Sequence, residues 1–321
     1  MAKYPDLPPI LFIFNPNADL GQAYRREPGL LALVRELAGE RVTWARTNHP
    51  GHGAHLAREA ATKGFRRVVA LGGDGTVHEV VNGLMHIPPD LRPELAVVPI
   101  GSGNDFAYAL GVPPDPRAAV ELALRGDAFP VDVAHYRDDR GREEFWDNTL
   151  GIGFDAVVTI RSLRHRRMRG FLRYLASVFE TVLLDHRAVV GTWQQDEAEP
   201  EPVAFHMAVF GNGPREGGGF LVTPSADIHD GQLDFTRVAP ISRWTMLRVI
   251  PDFLRGVQAR RACVHTGRFR HLVLTSETPM YVHADGEVLA DFDHPVHRVE
   301  LRVIPHALRA VHGPGARADT R

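Results

Sequence analysis

The 321-residue sequence predicts an α/β N-terminal domain with a mostly parallel, doubly wound sheet, followed by a β-rich, antiparallel, sandwich-like C-terminal domain. Three observations predict it. Short apolar strands alternate with helical periods through the first 130 residues. Each strand ends in a polar or glycine-rich turn. From Val131 onward the pattern changes to closely spaced strands.

In order, "ILFIF" (10–14) is a buried strand that stops at Asn15-Pro16. "GLLALVRELAG" (29–39) places Leu30, Leu33, Val34 and Leu37 on one helical face. "RVTWAR" (41–46) is a strand and "GAHLAREAATKG" (53–64) a helix ended by glycine. "RRVVAL" (66–71) then leads into "TVHEVVNGLM" (76–85), where Val77, Val80, Val81 and Leu84 share a face. "LAVVPI" (95–100) ends at "GSGNDFAYAL". Parallel strands carry ligands at their carboxyl ends, so Asn15, Thr47, Gly72–Thr76 and Gly101–Asn104 share one rim. Any one of these turns is an ordinary connection, but four at one edge point to a ligand site. Asn104 also suits a helix N-cap.

The second part holds "VDVAHYR", "FWDNTLGIGF", "VAFHMAVFGN", "QLDFTRVA", "RHLVLTS", "PMYVHADGE" and "VHRVELRVI" as strands, with helices near 162–184 and 242–257. "WQQDEAEPEP" (193–202) reads as a mobile acidic loop and "HGPGARADTR" as a disordered tail. The expected divisions are 1–133 (nucleotide-binding), 134–295 (lipid-substrate domain, on the resemblance below), and 296–321, a C-terminal segment that can return to the first domain. No internal repeat is evident.

Composition narrows the function. A formal charge of −2 gives no global attraction to nucleic acid. A single cysteine, Cys263, allows no internal disulfide and fits a reducing compartment. The N-terminal apolar run is too short for a signal peptide or a span. A cytoplasmic protein is expected, with any membrane contact peripheral. The sequence does not fix the oligomeric state.

"LGGDGTVHEVVNGL" (71–84) sets Asp74 among three glycines at a helix start. Glycine allows close backbone approach, and a helix N-terminus attracts phosphate. A carboxylate there would repel phosphate unless a cation lay between them, so the stretch suggests a nucleotide phosphate with Mg²⁺. Glu287 stands two residues from Asp285; on one strand both would face the same side.

Asn15-Pro16, "GGDGTVHEVVNGL", "PIGSGNDFA", "GIGFDA" (151–156), "GNGPREGGGF…PSADIHDGQLD" (211–234) and "HADGE" (283–287) occur in this order. Together they resemble the bacterial diacylglycerol kinase and lipid kinase family, related to sphingosine and ceramide kinases, from about residue 10 to about 305. The resemblance implies ATP and Mg²⁺, with ATP in a cleft. It implies that Thr47, the stretch Gly73, Asp74, Gly75, Thr76, Val77, His78 and Glu79, and Ser102 contact ATP, beside Asn15 and Asn104. It implies a structural Mg²⁺ held by Asp230 with backbone oxygens of Asp227 and Gln232; locally, an ordinary Asp-Gly turn explains the same residues. It implies Glu287 as proton acceptor, with Asp285 beside it, although in eukaryotic relatives the glycine-loop acid, here Asp74, is often assigned as the base. Relatives often continue Asn-Pro into a Ser-Gly-Lys/Arg turn. Here "NPNADLGQAYRR" leaves a basic contact to Arg25 or Arg26, or removes it.

Two other features remain. "HPGHGAH" spaces His49, His52 and His55 three apart, with no fourth ligand for zinc in view. "RSLRHRRMRGFLRYL" (161–175) carries Arg161, Arg164, Arg166, Arg167, Arg169 and Arg173 among apolar residues. A solvated basic helix explains it as well as docking on an anionic surface, and a lipid substrate favours docking. Its aromatic residues face a core rather than interleave for base stacking, so no nucleic-acid partner is expected. The expected function is ATP- and Mg²⁺-dependent phosphorylation of the hydroxyl of diacylglycerol or a similar lipid, transiently at the inner membrane surface. The alternatives are an NAD kinase, which shares the GGDG loop, and a nucleotide- or lipid-binding regulator without turnover.

Overall fold

The computed structural model describes residues 3–4, 6–163, 170–314 and 316. The chain forms two compact units, one of residues 1–131 with 306–321 and the other of 132–305. Within the described residues, no helix is long and apolar enough to cross a membrane. Most of the C-terminal tail lies outside the described residues.

The first unit contains β1 (Ile10–Phe14), α1 (Ala23–Ala38), β2 (Val42–Arg46), α2 (His52–Ala60), β3 (Arg67–Gly72), α3 (Asp74–Met85), β4 (Glu94–Pro99), α4 (Asp105–Ala109) and α5 (Pro116–Arg125). Its strands are parallel in the order β2-β1-β3-β4. Phe14 lies level with Arg46 and with Leu71, and Gly72 with Pro99. This register brings the turns after all four strands to one edge. Phe12, Phe14, Val69, Leu71, Ala96 and Val98 pack against Leu30, Val34 and Leu37 of α1 and Val120 and Leu124 of α5. The alternate residues Leu11, Ile13, Val68, Ala70, Leu95 and Val97 are equally buried. Successive side chains point to opposite faces, so both faces are covered, and the strands read as continuous apolar runs for that reason.

The second unit starts within β5 (Ala128–Asp138) and continues through β6 (Glu143–Trp146), β7 (Thr149–Gly153), α6 (Phe154–Ser162), α7 (Gly170–Leu184), β8 (Val189–Gln195), β9 (Glu201–Phe205), β10 (Met207–Gly211), β11 (Leu233–Val238), α8 (Arg243–Arg255), β12 (Val264–Phe269), β13 (His271–Met280), β14 (Val282–Ala284), β15 (Glu287–Ala290) and the first part of β16 (Val296–Val311). One antiparallel sheet runs β12-β11-β10-β7-β14-β15. A second group, β16-β13-β8-β9, is also antiparallel, with the β5–β6 hairpin on β16. Trp146, Trp193, Phe205, Phe210, Phe269 and Leu301 belong to a single core fed by both sheets, which is a sandwich. On β10 the alternation divides the work. Ala208 and Phe210 enter that core, while Met207 and Val209 pack under α6, α7 and α8.

Several sequence expectations shift. The strand "FWDNTLGIGF" breaks at Asp147-Asn148, whose N–H groups turn to a carboxylate instead of a neighbouring strand. The acidic stretch 193–202 begins as ordered β8, where Trp193 is buried with ring centroids 5.7 Å from Phe210 and 5.1 Å from Phe235. A helix already spans Phe154–Ser162 ahead of Gly170–Leu184, because Gly153, with φ 80°, turns the chain directly from β7 into α6.

Candidate active site

In the first unit, three strand ends are tied to one another. The side-chain amide of Asn15, after β1, donates to Thr76 Oγ1 in α3 at 2.9 Å. Asp74, the first residue of α3, accepts the Asn104 N–H at 2.8 Å and the Asp105 N–H at 2.6 Å. The Asn104 side chain does not cap α4; it bends back to accept from Gly101 N–H and donate to Gly101 C=O, both at 3.0 Å. This return loop needs Asn104 in the left-handed region, φ 56°, which asparagine tolerates better than most residues. Gly73 and Gly101 lie back to back. A Cβ on Gly101 would stand 2.4 Å from the Gly73 Cα, so neither residue can carry a side chain without moving the loops.

The other expected nucleotide residues surround this knot in different ways. Thr47 is buried and its N–H joins Phe14 C=O at 2.9 Å. Ser102 is exposed in the loop after β4. Gly75 lies in the first turn of α3, and Val77 and His78 are buried along it. Glu79 faces another way: it accepts the N–H groups of Gly51 and Gly53 at 2.7 and 2.8 Å, fastening the start of α2. Arg26 pairs with Asp19 at 3.3 Å.

In the second unit, Asp285 and Glu287 do not share a strand face. Asp285-Gly286 is the two-residue turn between β14 and β15, with φ 51° and 85°, the conformation that an Asp-Gly hairpin favours. Asp285 is buried and its carboxylate accepts three N–H groups, from Asp147, Asn148 and Thr149, each at 3.0 Å. Glu287, beyond the turn, is exposed.

The acidic turn also has defined partners. Asp227 accepts the His229 N–H at 3.1 Å, Asp230 accepts the Gln232 N–H at 3.0 Å, and Gly231 N–H donates to buried Asp132 at 2.6 Å. The Arg268 guanidinium lies 3.4 Å from both Asp230 and Asp234. Burial pushes the carboxyls of Asp230 and Asp234 upward, against the pull of backbone and arginine donors. The oxygens of Asp227, Asp230 and Gln232 are the hard donors that Mg²⁺ takes, so the residues fit such an ion in chemistry.

One buried cluster was missed in the sequence. His283 Nε2 lies 2.9 Å from Asp155 Oδ2 and 3.4 Å from Glu216 Oε1. Burial alone would lower the His283 pKa, but Glu216 and Asp155 outweigh it and raise it to about 9. A Cβ on Gly151 would stand 2.1 Å from Asp155 Oδ2 and 2.3 Å from His283 Nε2, so the first glycine of "GIGF" makes room for the cluster. Among the described residues this is the group whose side chains could hold a metal ion. His49, His52 and His55 instead form a stacked row with centroids 5.0 and 6.2 Å apart. Asp155 also borders an apolar pocket of about 370 Å³ lined by Phe154, Val178, Met207, Phe220, Met246 and Phe253.

The basic stretch 161–173 divides. Arg161 is buried and bonded to Glu180 and Asp185; it is an internal strut and not part of a solvent-facing basic surface. Arg164, Arg166, Arg167 and Arg169 lie outside the described residues.

A parallel α/β unit whose glycine loops converge on a helix N-terminus, joined to an antiparallel sandwich with a buried acid in a hairpin turn, defines a class of kinases. Residues 9–136 match the diacylglycerol kinase catalytic domain, and 148–312 match the YegS C-terminal NAD kinase beta sandwich-like domain. The chain is 31% identical over 304 residues to a "Diacylglycerol kinase" of Mycobacterium tuberculosis, covering 92% of this chain and 93% of that one. It is 33% identical over 281 residues to a "Probable lipid kinase YegS-like" protein of Xanthomonas campestris pv. campestris, covering 86% and 88%. A crystal structure of a diacylglycerol kinase from Bacillus anthracis str. Sterne shares the fold, with a TM-score of 0.70 at 20% identity over 98% of this chain and all of that one. The protein belongs to the diacylglycerol and YegS-like lipid kinase family and is a kinase.

Proposed function

We propose that the protein transfers the γ-phosphoryl group of ATP, with Mg²⁺, to the hydroxyl of diacylglycerol or a similar lipid. The observation that carries this reading is the Gly73–Gly101 approach, locked by Asp74. It exposes backbone at the start of α3, where phosphate binds best. Asn15, Thr47, Gly73–Thr76, Ser102 and Asn104 are assigned to ATP. Val77, His78 and Glu79 hold the helix and its neighbour in place. Asp74 sets the geometry of both loops and keeps negative charge beside the phosphates. Mg²⁺ supplies charge neutralisation for a loose phosphoryl-transfer transition state.

Glu287 is assigned as the proton acceptor for the lipid hydroxyl. Asp285 is occupied by three N–H donors, which suits it to fixing the hairpin rather than to taking a proton. Asp227, Asp230 and Gln232 are assigned to a structural Mg²⁺ in the second unit. The apolar pocket beside Asp155 offers hydrocarbon a lining that a nucleotide acceptor would not use. The protein is placed in the cytoplasm, with peripheral contact at the inner membrane surface where such a lipid resides. Purified protein with γ-labelled ATP and separate diacylglycerol, sphingoid and NAD acceptors tests this. Label in a lipid supports it. Label in NAD would assign the enzyme to the NAD kinases.

A further inference from the structure

Helix α7 is apolar on two sides. Leu175, Val178 and Val182 turn inward against Met246, Val249, Ile250 and Phe253 of α8. Leu172, Phe179 and Leu183 follow an i, i+7, i+11 spacing, within about 40° of one another around the axis. They point outward: Leu172, Phe179, Leu183 and the terminal Leu184 are 63%, 49%, 63% and 62% exposed. His186 contacts the Ile241 carbonyl, so the end of α7 meets the start of α8. There Trp244 is 74% exposed, on a helix that also exposes Arg243, Arg248 and Arg255.

Soluble surfaces rarely carry large contiguous apolar patches without a partner. The charge around this one identifies the partner's chemistry. The acids nearby are engaged: Glu180 and Asp185 with Arg161, and Asp252 with Arg261. The outward charge left on α8 is therefore cationic. A helix face of leucine and phenylalanine, flanked by tryptophan and arginine, matches the boundary between acyl chains and anionic headgroups. We propose that the outward face of α7 and the first turns of α8 dock on an anionic bilayer. This rests on the lipid-kinase reading for its purpose, but not for its test.

Vesicles of phosphatidylcholine alone and with phosphatidylglycerol are mixed with the full chain, and binding is read by co-sedimentation and tryptophan emission. Trp146 and Trp193 are buried and Trp44 half-buried, so a blue shift reports Trp244. Wild type is expected to bind the anionic vesicles with that shift, more weakly at high salt. The double variant F179Q/L183Q, checked for unchanged melting, is expected to bind at least tenfold more weakly. Its activity should fall on vesicle-borne lipid and persist on a short-chain, water-soluble acceptor. W244F should remove the shift. Undiminished vesicle binding by F179Q/L183Q, or no binding by wild type, overturns the proposal. A wild-type dimer that this variant separates, without vesicle binding, would reassign the face to self-association. Weakened vesicle binding in a protein that phosphorylates no lipid would keep the docking surface and remove the lipid-kinase reading.

Discussion

The carboxylate of Asp74 accepts the backbone N–H of Asn104 at 2.8 Å, joining residues thirty positions apart. This bond, with its companion from Asp105, closes the turn after β4 onto the turn after β3. An acid placed among glycines thus has a structural task besides any dealings with phosphate: it holds two loops at the separation that the ligand requires.

Asp74→Asn keeps the size but offers one good acceptor where there were two. An N–H group left facing an amide costs about 1–3 kcal/mol when buried. The expected result is a lowered melting temperature together with activity reduced by orders of magnitude. Near-normal turnover by the folded variant would remove Asp74 from the phosphate site.

Gly101→Ala drives a methyl group into the Gly73 Cα. ATP affinity, measured by calorimetry, should collapse. Gly29→Ala is the contrast, since Gly29 lies inside α1 with nothing within 4 Å of its Cβ direction. It should leave ATP binding unchanged and stabilise the protein by about 0.5–1 kcal/mol. Equal ATP affinities in the two variants would contradict a phosphate site at the Gly73–Gly101 contact.

Glu287→Gln should lower kcat by about 10²–10⁴-fold with an unchanged KM for ATP and an unchanged melting temperature, because Glu287 is exposed. Asp285→Asn should lower the melting temperature as well, since three N–H groups lose an anionic acceptor. A Glu287→Gln enzyme with normal kcat would move the proton-accepting role elsewhere, with Asp74 the next residue to examine.

His283 makes stability depend on pH. Its folded pKa, about 9, stands above the unfolded value of about 6.5. Its contribution is therefore complete below about pH 6.5 and disappears as pH rises toward 9. His206 has the opposite sign. Burial first, and then the neighbouring His186, lower its pKa to about 4, so it removes stability as pH falls below about 6.5. Chemical denaturation across this range should show a maximum near neutrality. His283→Gln should abolish the alkaline decline and cost about 3–5 kcal/mol at neutral pH by stranding buried carboxylates. An alkaline limb that persists in the variant would assign it to another group.

The parallel unit was legible because burial on both faces writes unbroken apolar runs such as "ILFIF" and "RRVVAL", and because strand-end glycines announce close approach. The buried cluster was not. Asp155 and His283 are 128 positions apart and meet only because His283 on β14 pairs with Gly151 on β7, a register that no local pattern encodes. The motifs "GIGFDA", "REGGGF" and "HADGE" each contained one member, and that coincidence was the available signal. Asp285 and Glu287 were misplaced because period-2 reasoning was applied across an Asp-Gly pair that makes a turn. Arg161 was read with its arginine neighbours, although its partners, Glu180 and Asp185, stand 19 and 24 residues later.

The most direct measurement is mass spectrometry of the products formed when the purified protein meets ATP, Mg²⁺, a total bacterial lipid extract and NAD in a single reaction. The expected product is a hydroxyl-bearing lipid heavier by one phosphoryl group, matched by equimolar ADP and absent with Asp74→Asn. A phosphorylated NAD, or ADP formed without any phosphorylated acceptor, would contradict a lipid kinase.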